Sequence, residues 1–130
     1  MNLRDASILI LEEQAADLQR LEHYLLEQGH AVLSASSLEA ALDHLNSAVV
    51  IDLFLLDEQL AGPHSAAMLV EACLPVRPRM RVLGLSSSKP RVLDDSAPYP
   101  ALLKPIRLDE LERAIEFTLR SPAVTPWLEC

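Results

Sequence analysis

Val49-Val50-Ile51-Asp52-Leu53-Phe54-Leu55-Leu56-Asp57, followed by Glu58-Gln59-Leu60-Ala61-Gly62-Pro63, is the stretch from which the rest of the chain can be read. A short apolar run rich in Val, Ile, Leu and Phe, closed by a Gly-Pro turn signal, predicts a strand buried on both faces of a parallel sheet. The run ends on a carboxylate. In open α/β sheets ligands sit in the crevice outside the carboxyl ends of the strands, so Asp57 either faces a site of chemistry or caps the turn that follows. The residues at the ends of the other strands separate the two readings.

Upstream, Ser7-Ile8-Leu9-Ile10-Leu11 predicts a first strand that ends on Glu12-Glu13. Leu18, Leu21, Tyr24, Leu25 and Leu26 recur at helical spacing over Ala15 to Gln28, and Gly29 is placed to stop that helix. Ala31-Val32-Leu33 is a short second strand, and Ser37 is the expected N-cap of a helix carrying Ala40, Ala41, Leu42 and Leu45. Downstream, Ser65 to Leu74 is apolar almost all round, which suits either a buried helix or one that keeps a surface for a partner or second copy. Arg81-Val82-Leu83-Gly84-Leu85 predicts a fourth strand running into Ser86-Ser87-Ser88. Between Lys89 and Pro100 the prolines Pro90, Pro98 and Pro100 leave room for a turn or two of helix at most. Ala101-Leu102-Leu103 is a last short strand ending on Lys104-Pro105, and Leu108, Leu111, Ala114, Ile115 and Leu119 line a final helix.

A chain of 130 residues fits one domain, expected over 1–120, with 121–130 as a tail or the start of a linker. Leu and Ala dominate and aromatics are only 4%, which favours helices packed on a sheet over an all-β sandwich. Net charge is −8 with no Lys/Arg cluster, so a grip on nucleic acid phosphates is not expected. Cys73 and Cys130 form no CxxC, and there is neither an apolar leader nor an apolar run of the eighteen or so residues that a membrane span needs. The expected compartment is the cytoplasm, with no membrane partner. His23, His30, His44 and His64 share no ligand spacing and are expected on exposed faces or loops. Cys73 reads as a small buried hydrophobe, and Trp127 either packs on the domain or belongs to the tail.

Alternation of strands and helices with right-handed crossovers gives a parallel sheet with helices on both faces. Its strand ends then gather Glu12 and Glu13, Asp57, Ser86 and Lys104. Carboxylates this close repel, at about 4 kcal/mol per pair at 4 Å and an effective dielectric near 20, so a cation belongs among them. Mg²⁺ suits one or two carboxylates, several waters and phosphate oxygens. A carboxylate beside such a metal can act as nucleophile on an activated phosphoryl group and form an aspartyl phosphate. Lys104 would neutralise one phosphoryl oxygen and Ser86 would donate to another, which is most of what phosphoryl transfer asks of a protein.

"ILILEE", "DLFLLD", "VLGLSS" and "LLKP" stand in the order and near the spacings of the receiver domains of two-component response regulators, and the chain resembles that family from residue 7 to about 120. The resemblance implies a flavodoxin-like α/β sandwich with a parallel five-stranded sheet in the order 2-1-3-4-5, its fourth helix shortened or missing. It implies that Asp57 accepts a phosphoryl group from a sensor histidine kinase or phosphotransfer protein. It further implies that Glu12, Glu13, Asp57 and the backbone carbonyl of Gln59 hold Mg²⁺, that Ser86 and Lys104 read the phosphoryl group, and that the Lys104-Pro105 peptide is cis. Gln59 and Ser88 match positions that tune dephosphorylation. Such a domain is a bacterial signalling switch rather than an enzyme, and a homodimer is among its expected assemblies.

The chain departs from the pattern in its Glu-Glu acid pair, each side chain longer than Asp by about 1.5 Å. Ala61 and Ser65 replace the usual Pro and Gly, and the interval from Ser86 to Lys104 is several residues short. Ala101 stands where the family carries a switching aromatic, with Tyr99 two residues before it on the same side of the strand. A degenerate receiver that binds partners without phosphoryl transfer is therefore a second reading. A small phosphate-ester hydrolase is a third, although Glu58 and Gln59 do not supply the second Asp that such a site places beside its nucleophile.

Overall fold

In the computed structural model, which describes residues 6–59, 69–73, 75–87 and 99–120, the central strand begins later than its apolar run. Val49 and Val50 are 40% and 66% exposed and lie before the strand, which spans Leu53–Asp57 (β3). Asp52 decides the boundary. Its Oδ2 accepts from the Ser7 N–H at 2.8 Å, its N–H donates to the Ser7 carbonyl at 2.8 Å, and its carbonyl accepts from the Arg81 N–H at 3.0 Å. These bonds tie the amino ends of three strands together and leave the valines in the connecting loop.

The remaining elements are β1 (Ser7–Leu11), α1 (Ala15–Glu27), β2 (Ala31–Ala35), α2 (Leu38–Leu45), a helical stretch at 69–73 (α3), β4 (Arg81–Ser86), β5 (Ala101–Leu103) and α4 (Leu108–Arg120). All strand pairs are parallel and the order is β2-β1-β3-β4-β5, as expected. All five residues of β3 are buried between β1 and β4.

Side chains alternate across the sheet, and each face builds its own core. Leu9, Leu11, Phe54, Leu56 and Val82 meet Ala41 and Leu45 of α2 and Leu69, Val70 and Cys73 of α3. Ile8, Ile10, Leu53, Leu55, Leu83 and Leu85 meet Leu21 and Leu25 of α1 and Leu111, Ile115 and Leu119 of α4. Leu26 and Leu42, which share the helical spacing, fall outside both faces and are 57% and 36% exposed.

Two helix boundaries follow the predicted local chemistry. Past the end of α1, Gly29 takes φ of 93°, the left-handed region that a Cβ disfavours. Ser37 caps α2, its Oγ accepting from the Ala40 N–H at 3.1 Å. The far end of α2 is closed by Arg77, which the sequence does not advertise. Its guanidinium donates to the carbonyl of Leu45 at 3.0 Å, an acceptor that the last helical turn leaves open, and to those of Ser47 at 2.7 Å and Val49 at 2.7 Å in the loop beyond.

Several expectations fall on residues outside the described ones. These are the first part of the helix from Ser65, the shortened or missing helix between Ser86 and Lys104, His64, Ser88 and the tail 121–130. Among the described residues no helix is long and apolar enough to cross a membrane.

Gly84, in the middle of β4, pairs with Leu56 on one side and Ala101 on the other. A Cβ there would stand 2.8 Å from Glu58 Oε2 and 3.0 Å from Tyr99 Cε1, and both of those residues are buried. Overpacking of this kind costs about 1–3 kcal/mol. Gly84→Ala should lower the urea midpoint by a corresponding amount with the slope unchanged, and an unaltered midpoint would show that Glu58 and Tyr99 yield freely.

Candidate functional site

The carboxyl edge of the sheet collects its polar residues because the backbone ladder continues one step past each strand. Glu12 N–H donates to the Ala35 carbonyl at 3.0 Å, Glu58 N–H to the Leu85 carbonyl at 3.0 Å, and Lys104 N–H to the Ser86 carbonyl at 2.7 Å. Glu12 is thereby placed at the end of β1, Asp57 at the end of β3, Ser86 at the end of β4 and Lys104 just beyond β5. Glu12, Asp57 and Ser86 are buried, at 0%, 4% and 1% exposure.

Buried carboxylates require partners. Lys104 supplies one to both. Its Nζ stands 2.8 Å from Glu12 Oε1 and 3.3 Å from Asp57 Oδ1. Backbone amides hold each carboxylate as well: Gln14 N–H donates to Glu12 Oε2 at 3.0 Å, and Gln59 N–H donates to Asp57 Oδ1 at 3.0 Å. Burial pushes the Glu12 carboxyl above the ordinary glutamate range, against the opposing pull of Lys104 and the Gln14 N–H. For Lys104, burial works against the charge, but Glu12 and Asp57 together outweigh it and hold the ammonium above its usual value.

Four of the expected site residues, Glu12, Asp57, Ser86 and Lys104, thus lie at one edge, and three of them are in direct contact. Glu13 is exposed, on the outer side of the turn into α1. Gln59 is exposed too, and it enters through its backbone N–H on Asp57. Among the described residues no group of three or more His, Cys, Asp or Glu is arranged to hold a metal. The two carboxylates that do converge already share one cation, an ammonium. The Lys104-Pro105 peptide is cis.

Other candidates behave as structural residues. His23 is exposed beside Glu27, and His44 Nε2 lies 3.3 Å from the Ser34 carbonyl. Cys73 is buried, and burial pushes its thiol up, away from reactivity. Tyr99 and Ala101 are both buried, at 3% exposure each. Sequence reading missed a cleft of about 280 Å³ beside the site, walled by Asp17, Arg20, Leu21, Ser87 and Ile106 and opening onto Glu12 and Lys104. Arg20 closes one side of it by donating to the Ile106 carbonyl at 2.6 Å, a contact across 86 positions that no local signal announces.

No protein-family model and no curated protein matches the chain. Solved structures do. A response regulator receiver protein from Sinorhizobium medicae WSM419 superposes with a TM-score of 0.75 at 22% identity, covering 92% of this chain and 98% of that one. A response regulator receiver domain protein from Clostridium thermocellum gives 0.70 at 25%, covering 88% and 94%. The receiver domain of a sensor histidine kinase from Pseudomonas aeruginosa PAO1, described with a magnesium ion coordinated in its active site cleft, gives 0.72 at 21%, covering 90% and 99%. The fold of this chain is the receiver fold.

The raised Lys104 value has a consequence for stability. A base whose folded-state value exceeds its unfolded one contributes stability that is complete below the unfolded value, about 10.4 for lysine, and is lost as pH rises through the folded value. The melting temperature should therefore drop more steeply above about pH 10.4 in the native chain than in Lys104→Met. Parallel curves in a circular dichroism series would show that Lys104 adds nothing through its charge.

Proposed function

We propose that this receiver-fold domain accepts a phosphoryl group on Asp57 from the phosphohistidine of a sensor histidine kinase or phosphotransfer protein, and that the modified domain changes its partner contacts in bacterial, cytoplasmic signalling. The observation that carries the reading is the buried cluster of Glu12, Asp57 and Lys104 at the carboxyl edge of the sheet, where this fold class binds ligands. A cluster kept only for packing would have little use for two carboxylates that each need a cation.

In the proposed reaction an Asp57 carboxylate oxygen attacks phosphorus. The P–N bond to the donor imidazole breaks, and the imidazole nitrogen leaves with the electron pair and takes a proton. Lys104, 3.3 Å from Asp57 Oδ1, is within reach of an oxygen of the incoming group as a point charge. Ser86, at the end of the neighbouring strand, is the hydroxyl proposed to donate to a second oxygen.

The donor set fits Mg²⁺ in part. Glu12 and Asp57 are hard carboxylate ligands that already converge on one cation, and Mg²⁺ takes one or two carboxylates with water and phosphate filling the remainder. Those two residues would hold it, and the ion when bound would offset charge on the phosphoryl oxygens. The acyl phosphate carries about −1.5 to −2 charges where the Asp57 carboxylate carried −1, and it adds three phosphoryl oxygens at this edge. On this reading the domain acts as a switch and not as an enzyme with a turnover of its own.

Incubation with the small phosphodonor acetyl phosphate and Mg²⁺ should add one acid-stable, base-labile phosphoryl group to the native chain and none to Asp57→Asn, by intact mass. Equal labelling of the two would overturn the assignment. Lys104→Ala should stay folded by amide NMR and take up the label while losing the amide shifts that labelling causes in the native chain.

A further inference from the structure

Lys104 is carried by the short segment between β5 and α4, and three contacts hold that segment in place. Lys104 N–H donates to the Ser86 carbonyl at 2.7 Å, the Ile106 side chain is buried in the same core as Leu21 of α1, and the Ile106 carbonyl accepts from the Arg20 guanidinium at 2.6 Å. Ile106 stands one residue before the Arg107 carbonyl, which accepts the Leu111 N–H at 2.9 Å as α4 begins. A guanidinium bond to a carbonyl is charge-assisted and stronger than a neutral one. Arg20 is joined to the site from its other side as well. Helix α1 starts at the Gln14 carbonyl, which accepts from the Leu18 N–H at 2.9 Å, and the Gln14 N–H holds Glu12 Oε2 at 3.0 Å. Glu12, α1, Arg20, Ile106 and Lys104 thus form a closed circuit, completed by Lys104 Nζ on Glu12 Oε1 at 2.8 Å.

We propose that Arg20 is a positioning residue for Lys104: by holding the Ile106 carbonyl against α1 it fixes the segment that carries the lysine, and with it the place where the ammonium meets an oxygen on Asp57. The inference rests on the phosphoacceptor reading above and extends that site to a residue on α1 that does not touch the phosphoryl group. Lysine needs such support because its ammonium sits at the end of a flexible four-carbon stem. The side chain is 19% exposed and borders a cleft of about 280 Å³, so water and open space compete for it. Nζ stands 3.3 Å from Asp57 Oδ1, at the outer edge of hydrogen-bond distance, and a small drift of the segment ends that contact. Arg20 restrains the backbone two residues from Lys104, and it does so from a helix anchored by Leu21 and Leu25, at 1% and 0% exposure.

The test uses the whole chain with acetyl phosphate and Mg²⁺. Arg20→Met keeps an apolar stem and removes the donor. Its labelling of Asp57 should run about tenfold slower than in the native chain, short of the roughly hundredfold that a displacement of about 1 Å can cost. In a Lys104→Ala background the same substitution should leave the rate unchanged, because the lysine through which Arg20 acts is gone, whereas a residue that served stability alone would slow both backgrounds alike. Arg20→Lys, which keeps a charged donor on a shorter stem, should recover part of the rate. Independently of labelling, the Lys104 ammonium should exchange with water more slowly in the native chain than in Arg20→Met, by ¹⁵N NMR. Equal rates in the native chain and Arg20→Met, equal slowing in both backgrounds, or an ammonium exchange indifferent to Arg20→Met would overturn the proposal. Should Arg20→Met not fold, water exchange of the Arg20 guanidinium protons in the native chain decides: slow exchange marks a held donor, and rapid exchange overturns the restraint. A native chain that takes up no label sinks the phosphoacceptor reading, while native labelling indifferent to Arg20 sinks the positioning role alone.

Discussion

One ammonium between two buried carboxylates is the constraint on which the carboxyl edge of this domain depends. Glu12 and Asp57 sit on adjacent strands, about 4.8 Å apart across the ladder. Lys104 follows β5, two strands from β3 and three from β1, so its side chain must cross the end of β4 to reach them. The additional C–C bond of Glu, about 1.5 Å, which counts as a departure when the acid pair is judged as a metal site, lengthens the reach of a carboxylate whose Oε1 stands 2.8 Å from Nζ.

The rest of the architecture keeps that edge free for charge. Polar stitching is concentrated at the opposite pole, where Asp52 joins the amino ends of three strands and Arg77 closes the end of α2 with a fan of hydrogen bonds to carbonyls. With these ends secured, the strands can terminate in side chains that do not need to hold the sheet together. Leu53 to Leu56 contribute alternately to the two cores, so displacement of β3 would disturb both faces at once. Asp57 is therefore carried on a strand whose five residues are all buried, a suitable mount for a group whose chemistry depends on position.

Gly84 shows how closely this packing approaches the site. Glu58, the neighbour of Asp57, and Tyr99, which precedes β5, both press on the space a Cβ would occupy. The sequence presents Tyr99 as a ring displaced from Ala101 and assigns no role to Gly84. In the fold the missing side chain of one admits the other, so a buried aromatic is present although position 101 has none.

Short apolar runs, the Gly29 stop, the Ser37 cap and the acids, hydroxyl and lysine at the strand ends are local signals, and from them the sequence by itself determined the strand count, the helices α1, α2 and α4 and most of the residues gathered at one edge. It misjudged Val49 and Val50, because hydrophobicity does not report where a hydrogen-bonded ladder begins; that depends on Asp52 meeting Ser7, 45 positions away. Only the tertiary structure decided that Glu12 turns inward while Glu13 faces solvent, that Arg20 and Arg77 bind carbonyls 86 and 32 positions away, and that Lys104 stands between two carboxylates. Pairing of that kind is set by which strand ends become neighbours, a property of the whole sheet that no window of residues contains.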